Sequence, residues 1–273
     1  MRMWVNGALR DAEDARVSVL DHGLTVGDGI FETVKTVDGR PFALTRHLDR
    51  LVRSARGLGL PEPDLDTVRG ACAEVVEANP MPLGRLRITY TGGLAPLGSD
   101  RGAPGPSLVV ALGEAARRPD STAAVTVPWT RNERGALTGL KTTSYAENVV
   151  ALARAREHGA SEALFANTVG RLCEGTGSNV FVVLDGQLHT PPVASGCLAG
   201  ITRALVVEWT GAQETDLPLD VLERAEEVFL TSTLRDVQAV RLLDGRELPG
   251  APGPVTAKAM RIFAERAADD LDP

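Results

Sequence analysis

The 273-residue sequence contains no uninterrupted apolar run approaching the ~18 residues that a membrane-spanning helix requires. Nor does it open with a charged, then apolar leader, and together these absences predict a protein that stays in the cytosol. Cysteine is scarce. Cys72, Cys173 and Cys197 are odd in number, far apart and without a C-x-x-C pair, so neither a disulfide framework nor a zinc knuckle is expected, and no metal site is predicted. Positive charge is in the minority: 29 Lys and Arg against 36 Asp and Glu leave a net charge of -7. That balance works against non-specific binding to nucleic acid and leaves the arginines as surface charge or as contacts to small anions. The length allows a full core divided into two lobes, since domains usually hold roughly 100 to 200 residues.

Strands and helices are legible from periodicity. Met3–Asn6 reads as a strand, Val17–Leu20 as a second short strand, and Ile30–Val37 as a third, with Asp38-Gly39 turning into Arg40–Leu44. Thr45 is the expected N-cap of a helix whose Leu44, Leu48, Leu51, Val52, Ala55 and Leu58 form one apolar stripe. A second amphipathic helix is expected from Asp64 to about Ala78. Arg85–Thr91 alternates cleanly, with Arg85, Arg87, Thr89 and Thr91 on one face and the reading of an edge strand. The glycine- and proline-rich stretch from Gly92 to Pro106 suggests a flexible lid or substrate loop. Ser107–Leu112 is a buried strand, and the polar run from Gly113 to Ser121 is the expected linker.

The second half opens with a strand from Ala123 to Trp129. A helix from Tyr145 to His158 then carries so much Val, Leu and Ala that deep packing is expected. Strands over 163–167, 172–174, 179–184 and 188–190 form a meander that should wrap into an open barrel. A helix reaches Trp209, a strand covers Glu227–Thr231, and the tail from Asp236 onward, with a last helix from Thr256 to about Ala268, looks structural.

Chemistry concentrates between Gly139 and Asn179. Lys141 stands just before a helix, and Glu174 closes a later strand. A lysine amine that forms a Schiff base and then moves protons, with a carboxylate that keeps a ring nitrogen protonated, is what pyridoxal phosphate chemistry requires. Either residue alone reads as solvated surface charge. Their company resembles a known family. Gly27–Thr33, His47–Ala55, Lys141–Asn148, Glu174–Phe181, Gly200–Arg203 and Phe229–Thr233 are similar, in order and in register from about Val5 to Val240, to the class IV aminotransferases of fold type IV. That family includes branched-chain and D-amino acid aminotransferases and aminodeoxychorismate lyases.

The resemblance implies an α+β fold of two lobes. A smaller N-terminal α/β sandwich lobe would span residues 1–115, a linker 116–122, and a larger open β-barrel lobe with helices 123–273. It also implies pyridoxal 5'-phosphate bound to Lys141, with Glu174 at the ring nitrogen and Tyr145 at the phenolic oxygen. Leu198 would lie on the ring face, and Arg50, Ile201, Thr202, Ser232 and Thr233 would hold the phosphate. By pattern alone Arg50 lies off the apolar stripe and reads as solvated, while His47 borders it and takes a structural role. Phe31, Thr33 and Lys35 share a strand face and become candidates for substrate contact, and Arg85 or Arg87 could meet a substrate carboxylate.

Within the family, lyases place threonine where branched-chain aminotransferases usually have glycine, and that position is Thr33. Its hydroxyl would act on the leaving enolpyruvyl group or relay a proton, and the pieces around Arg131, Asn132 and Lys141 are also lyase-like. The first expectation is therefore 4-amino-4-deoxychorismate lyase, releasing pyruvate and the folate precursor 4-aminobenzoate; the alternative is an aminotransferase acting on amino acids or amines and keto acids. Nothing in the 92–106 loop matches the Arg-x-His carboxylate trap of D-amino acid aminotransferases. A catalytically silent relative would be expected to have lost Lys141, Glu174 or a phosphate ligand, and all are present. The resemblance also implies a homodimer with the active site near the interface.

Overall fold

The computed structural model describes residues 1–273 and divides into two compact units. The first comprises Met1–Arg117, Leu140–Tyr145 and Leu271–Pro273; the second comprises Arg118–Gly139 and Ala146–Asp270. The segment carrying Lys141, expected in the C-terminal lobe, is thus part of the first unit.

The first unit contains β1 (Arg2–Val5), β2 (Ala8–Asp11), α1 (His22–Thr25), β3 (Gly29–Val37), β4 (Arg40–Pro41), α2 (Leu44–Leu58), α3 (Leu65–Ala78), β5 (Leu83–Thr91) and β6 (Ser107–Glu114). Its six strands form one antiparallel sheet in the order β2-β1-β6-β5-β3-β4. Alternation sends Ile30, Val34, Leu86, Ile88 and Leu112 to one face, where Leu48, Leu51 and Ala55 of α2 and Val68, Cys72 and Val75 of α3 cover them. Each large side chain buried there contributes roughly 1.5–3 kcal/mol.

Three expectations need correction. Val17–Leu20 is an exposed turn, and the second strand is instead Ala8–Asp11, which can pair with β1 across the tight Asn6-Gly7 turn. β5 lies between β3 and β6, so Arg85 and Arg87 sit on an interior strand and not at an edge. Thr45 does not cap α2: the helix begins at Leu44, after Ala43 at φ 53. The chain's own tail does the capping. The Thr45 amide donates to Asp272 Oδ1 at 2.8 Å and its hydroxyl to Oδ2 at 2.6 Å, while the Ala43 amide donates to the Leu271 carbonyl at 2.6 Å.

The second unit contains β7 (Ser121–Arg131), α4 (Ala146–Glu157), β8 (Glu162–Asn167), β9 (Leu172–Gly175), β10 (Asn179–Leu184), β11 (Gln187–Thr190), α5 (Ile201–Thr210), β12 (Gln213–Glu214), α6 (Val221–Arg224), β13 (Glu227–Ser232), β14 (Asp236–Leu243), β15 (Arg246–Glu247) and α7 (Pro254–Asp269). Its sheet runs β12-β11-β10-β13-β14-β7-β8-β9, with β15 on β14. β9 ends the order, yet only residues 176–178 separate it from β10 near the opposite end, so the sheet must curl into an open half-barrel. Leu164, Leu172, Val180, Val182, Val228 and Leu230 fill one core cluster, and Phe181 stacks on Phe229 with centroids 4.7 Å apart.

α4 packs less deeply than its composition suggests. Only Asn148, Ala151 and Ala155 turn inward, a narrow stripe of small side chains, while Val149 and Val150 remain 64% and 54% exposed. No helix of the chain is long and apolar enough to cross a membrane.

The tail's capping role gives a direct test. Asp272→Ala removes both acceptors for Thr45 and should lower stability by about 1 kcal/mol, the usual loss for a missing helix cap. Urea unfolding measures this, and an unchanged midpoint would show that α2 does not depend on the tail.

Candidate active site

In the first unit, β3 pairs with β5 along its whole length, but on its other edge β4 covers only Thr36 and Val37. The uncovered part receives the Lys141 segment. The Phe31 amide donates to the Lys141 carbonyl at 2.9 Å, and the Thr143 amide to the Gly29 carbonyl at 2.8 Å. The Lys141 amide donates to Ser54 Oγ at 3.2 Å, and Leu140 fits against Gly57, where an added Cβ would come within 2.5 Å of its Cδ2. Lys141 is therefore fixed at the backbone on both sides. Its Nζ lies 4.3 Å from the centroid of the Phe31 ring and 5.9 Å from that of Tyr145, and those two rings meet edge to face at 5.3 Å.

Beneath the strand, on the core side, Glu32 is fully buried. Arg50 grips it in a fork, Nε to Oε1 and Nη2 to Oε2, both at 2.7 Å, and His47 Nδ1 lies 2.7 Å from Oε2. Burial alone would push the Glu32 carboxyl up, but the charge and hydrogen bonds of Arg50, with His47, outweigh it and hold the group well below the carboxylate range. Burial pushes the His47 imidazole down, against the pull of Glu32. Because an ionised carboxylate can only accept, His47 Nδ1 is the donor in this contact. Arg50, which the apolar stripe leaves as a solvated residue, is 4% exposed. The signal overlooked was a second stripe on α2: His47, Arg50, Ser54 and Gly57 follow at helical spacing and face Glu32 and the Lys141 segment.

The opposite sheet face is cationic. Thr33 stands directly across from Arg87, and Lys35 across from Arg85. Like charges facing each other across a ladder are unfavourable, so an anion at this face would relieve them. Arg87 sits over the Phe31 ring, with Cζ 3.4 Å from the ring centroid, and its Nε donates to Thr89 Oγ1 at 3.2 Å. Burial pushes its guanidinium down to about 10, which leaves a cation at neutral pH but a poorly hydrated one.

The 92–106 loop is pinned and does not hang free. Arg101 forks Asp28 at 2.7 and 2.8 Å and also donates to the carbonyls of Leu58 and Gly59. His22 is buried between two acceptors, with Nδ1 2.9 Å from Asp28 Oδ2 and Nε2 2.8 Å from the Gly98 carbonyl. The hydrogen bonds to Asp28 and Gly98 raise its pKa, as two acceptors facing one ring demand.

The second unit brings together Glu174, Leu198, the start of α5 and the end of β13. Glu174 Oε2 accepts the Leu198 amide at 2.9 Å, and Oε1 lies 3.1 Å from Arg131 Nε. That Nε–H is not aligned on the oxygen, so the contact is an ion pair without a hydrogen bond. Arg131 is itself stacked 4.0 Å over Phe165 and donates to Glu147 Oε2 at 2.6 Å and to Asn148. Sequence reasoning named Arg131 only as part of a motif; the structure makes it the cation beside Glu174. α5 starts at Ile201 after Gly200 with no side-chain cap, and Ile201 and Thr202 are buried. First-turn amides without a cap, in a buried place, suit an anion.

Asn179 ties these pieces together. It pairs with Thr231 next to Ser232, donates from Nδ2 to the Leu198 carbonyl at 2.9 Å, and packs so closely on Gly200 that no Cβ would fit there. An uncapped helix start, whose amides can donate to a phosphate, and a carboxylate, which can accept from a ring N–H, fit a phosphorylated pyridine.

The comparisons with known proteins agree with this chemistry. Residues 29–243 match the family described as Amino-transferase class IV. A Methanocaldococcus jannaschii protein provisionally named branched-chain-amino-acid aminotransferase is 33% identical over 97% of this chain and 96% of its own. The D-alanine aminotransferase of Staphylococcus haemolyticus is 31% identical over 96% of each chain. Among solved structures, the branched-chain aminotransferase of Thermoproteus uzoniensis with norvaline superposes with a TM-score of 0.91 at 29% identity, covering 97% of this chain and 94% of that one. A Legionella pneumophila protein provisionally named 4-amino-4-deoxychorismate lyase gives 0.87 at 27% identity, covering 93% and 97%.

The Glu32 cluster generates the prediction for this site. Glu32→Ala leaves Arg50 buried without a counter-charge and should cost roughly 3–5 kcal/mol. Because the carboxyl is held below its unfolded pKa of about 4.3, its stabilisation is complete above that value and is lost as the pH falls below it. In urea unfolding from neutral to acid pH, the gap between wild type and Glu32→Gln should narrow on acidification. A gap that stays constant would mean that Glu32 carries no charge in the fold.

Proposed function

Because the chain belongs to the class IV aminotransferase family and is a pyridoxal-phosphate-dependent enzyme, we propose that it moves an amino group between an amino acid and a keto acid. The observation that carries this reading is the likeness, over nearly the whole of both chains, to proteins named as branched-chain and D-alanine aminotransferases. The lyase expectation therefore yields first place. It stays as a second reading on one feature, Thr33 directly opposite Arg87 on the cationic face, together with the likeness to the Legionella protein. The absence of an Arg-x-His trap sets the loop apart from the D-amino acid pattern, so donors of both hands belong in the assay.

Pyridoxal phosphate, when bound, supplies a ring that withdraws electrons from the substrate carbon. The chain's own residues do the rest. Lys141 Nζ would hold the cofactor covalently and, once released, would serve as the base that takes the substrate proton and returns it. Phe31 and Tyr145 flank that amine, and Tyr145 is assigned to the phenolic oxygen. Glu174, paired with Arg131 and accepting the Leu198 amide, would accept from the ring N–H of the bound cofactor, and Leu198 would lie against the ring. Arg50, Ile201, Thr202, Ser232 and Thr233 would hold the phosphate. Arg87 takes the substrate carboxylate, with Lys35 and Arg85 adding positive charge on the same face and Thr33 beside them.

The active form is read as a homodimer. Val19, Leu24 and Leu97 are 76%, 70% and 80% exposed, and the pairing of Asp21 with Leu94 brings their two segments side by side. An apolar surface of this kind is what a second copy of the chain would cover.

The test loads the protein with pyridoxal phosphate and offers L- and D-amino acids with 2-oxo acids, and separately aminodeoxychorismate. Amino transfer is the expected result. Lys141→Ala should abolish the visible cofactor band and cut turnover by roughly 100- to 10,000-fold or more. Equimolar pyruvate and 4-aminobenzoate without amino transfer would replace the aminotransferase reading with the lyase. For the dimer, Leu24→Asp should shift sedimentation toward the monomer; an unaltered dimer would exclude this face.

A further inference from the structure

The second unit buries a carboxylate that none of these roles uses. Glu162, the first residue of β8, is 1% exposed. Its Oε1 accepts the Thr176 amide at 2.9 Å, the Thr176 hydroxyl, and the Ala163 amide at 3.2 Å. Its Oε2 accepts the Ser178 hydroxyl at 2.7 Å and lies 3.4 Å from Arg235 Nη2. Thr176 and Ser178 belong to the turn between Glu174 and Asn179. Arg235 belongs to the turn that follows Ser232 and Thr233, and its amide donates to the Ser232 carbonyl at 3.1 Å.

The Gly-Thr-Gly-Ser turn has no large apolar side chain that could anchor it in the core. Besides the backbone bonds of the Thr176 amide to the Ala163 carbonyl and of the Gly175 amide to the Ser178 carbonyl, it is held by the three bonds that Thr176 and Ser178 make to Glu162, and Gly175 passes so close that an added Cβ would lie 3.0 Å from the Glu162 carboxyl carbon. On the other side, Arg235 is fixed by the Ser161 carbonyl at 3.0 Å and by Gln238, which in turn donates to the Pro119 carbonyl at 2.7 Å. One buried anion therefore connects two turns, each leading to residues assigned to the cofactor.

We propose that Glu162 is a positioning residue: it holds the Glu174 turn and the Ser232–Thr233 turn in one rigid frame, which fixes the spacing between the ring-nitrogen contact and the phosphate contact. The role acts through Glu174, Ser232 and Thr233 and rests on their assignment to pyridoxal phosphate. Because a carboxylate is acceptor-only, it can serve Thr176, Ser178 and Arg235 together. Glutamine of the same shape has one oxygen, and its NH2 would face donors.

The test uses cofactor-free wild type, Glu162→Gln and Ser178→Ala, each titrated calorimetrically with pyridoxamine 5'-phosphate, which binds without the Lys141 linkage. The phosphorus resonance of the bound ligand is followed from about pH 5 to 8, the range in which a phosphate monoester titrates. Glu162→Gln should weaken binding by about tenfold or more, and its bound phosphate should begin to titrate where the wild type's does not. Ser178→Ala spares the Glu162–Arg235 pair and disturbs the fold less, so it should show the same effects to a smaller extent. Wild-type affinity and a pH-invariant resonance in both variants, even with a lowered melting temperature, would reduce Glu162 to a stability element and overturn the proposal. If the wild type itself does not bind the ligand, the cofactor assignment falls, and this role falls with it.

Discussion

A carboxylate removed from water must have its lone pairs engaged, and each unit is built around one that meets this demand. In the first unit Glu32 is served by Arg50 and His47; in the second Glu162 is served by Thr176, Ser178 and Arg235. Isolated, either charge would cost several kcal/mol to bury. The partners that offset this cost are carried on the helix and the turns that also carry the assigned cofactor contacts. Arg50 is both counter-ion to Glu32 and candidate phosphate ligand, so its fork on the carboxylate orients the guanidinium before any anion arrives.

The same requirement explains why the long loop is ordered. A glycine- and proline-rich stretch has little to bury, and its composition predicts mobility. Asp28 supplies what the loop lacks: a third carboxylate, gripped by Arg101 from the loop's middle and by His22, whose other nitrogen holds the Gly98 carbonyl. The loop is therefore closed by charge, without an apolar core of its own. The exposed Leu97 and Leu94 that it carries are left facing outward.

What could be read from the sequence follows from range. β3, α3, β13 and α7 are local patterns, and the structure places them within a residue or two of expectation. The six family motifs led to Lys141 and Glu174 because those residues are spaced along the chain in a recognisable order. Contacts between residues far apart in sequence escaped: Asp272 capping a helix more than two hundred positions earlier, Arg131 beside Glu174, and Glu162 beside Arg235. Hydropathy reads a charged residue as surface, since it cannot show the counter-charge that permits burial. For Arg50 one local clue existed, the helical spacing of His47, Arg50, Ser54 and Gly57, but it is polar and an apolar stripe search passes over it.

Strand geometry then separates what must stay constant from what can change. Successive residues of β3 point to opposite faces, so Glu32 goes inward to Arg50 while Phe31, Thr33 and Lys35 go outward to the cationic face. A substitution at Thr33 alters that outer face without touching the buried ion pair one residue away. The same holds for Arg85 and Arg87 on β5, whose neighbours Leu86 and Ile88 are in the core. Changes to the outward side chains of β3 and β5 can thus leave the buried Glu32–Arg50 pair intact. Proteins named for different reactions superpose on this chain with TM-scores of 0.91 and 0.87.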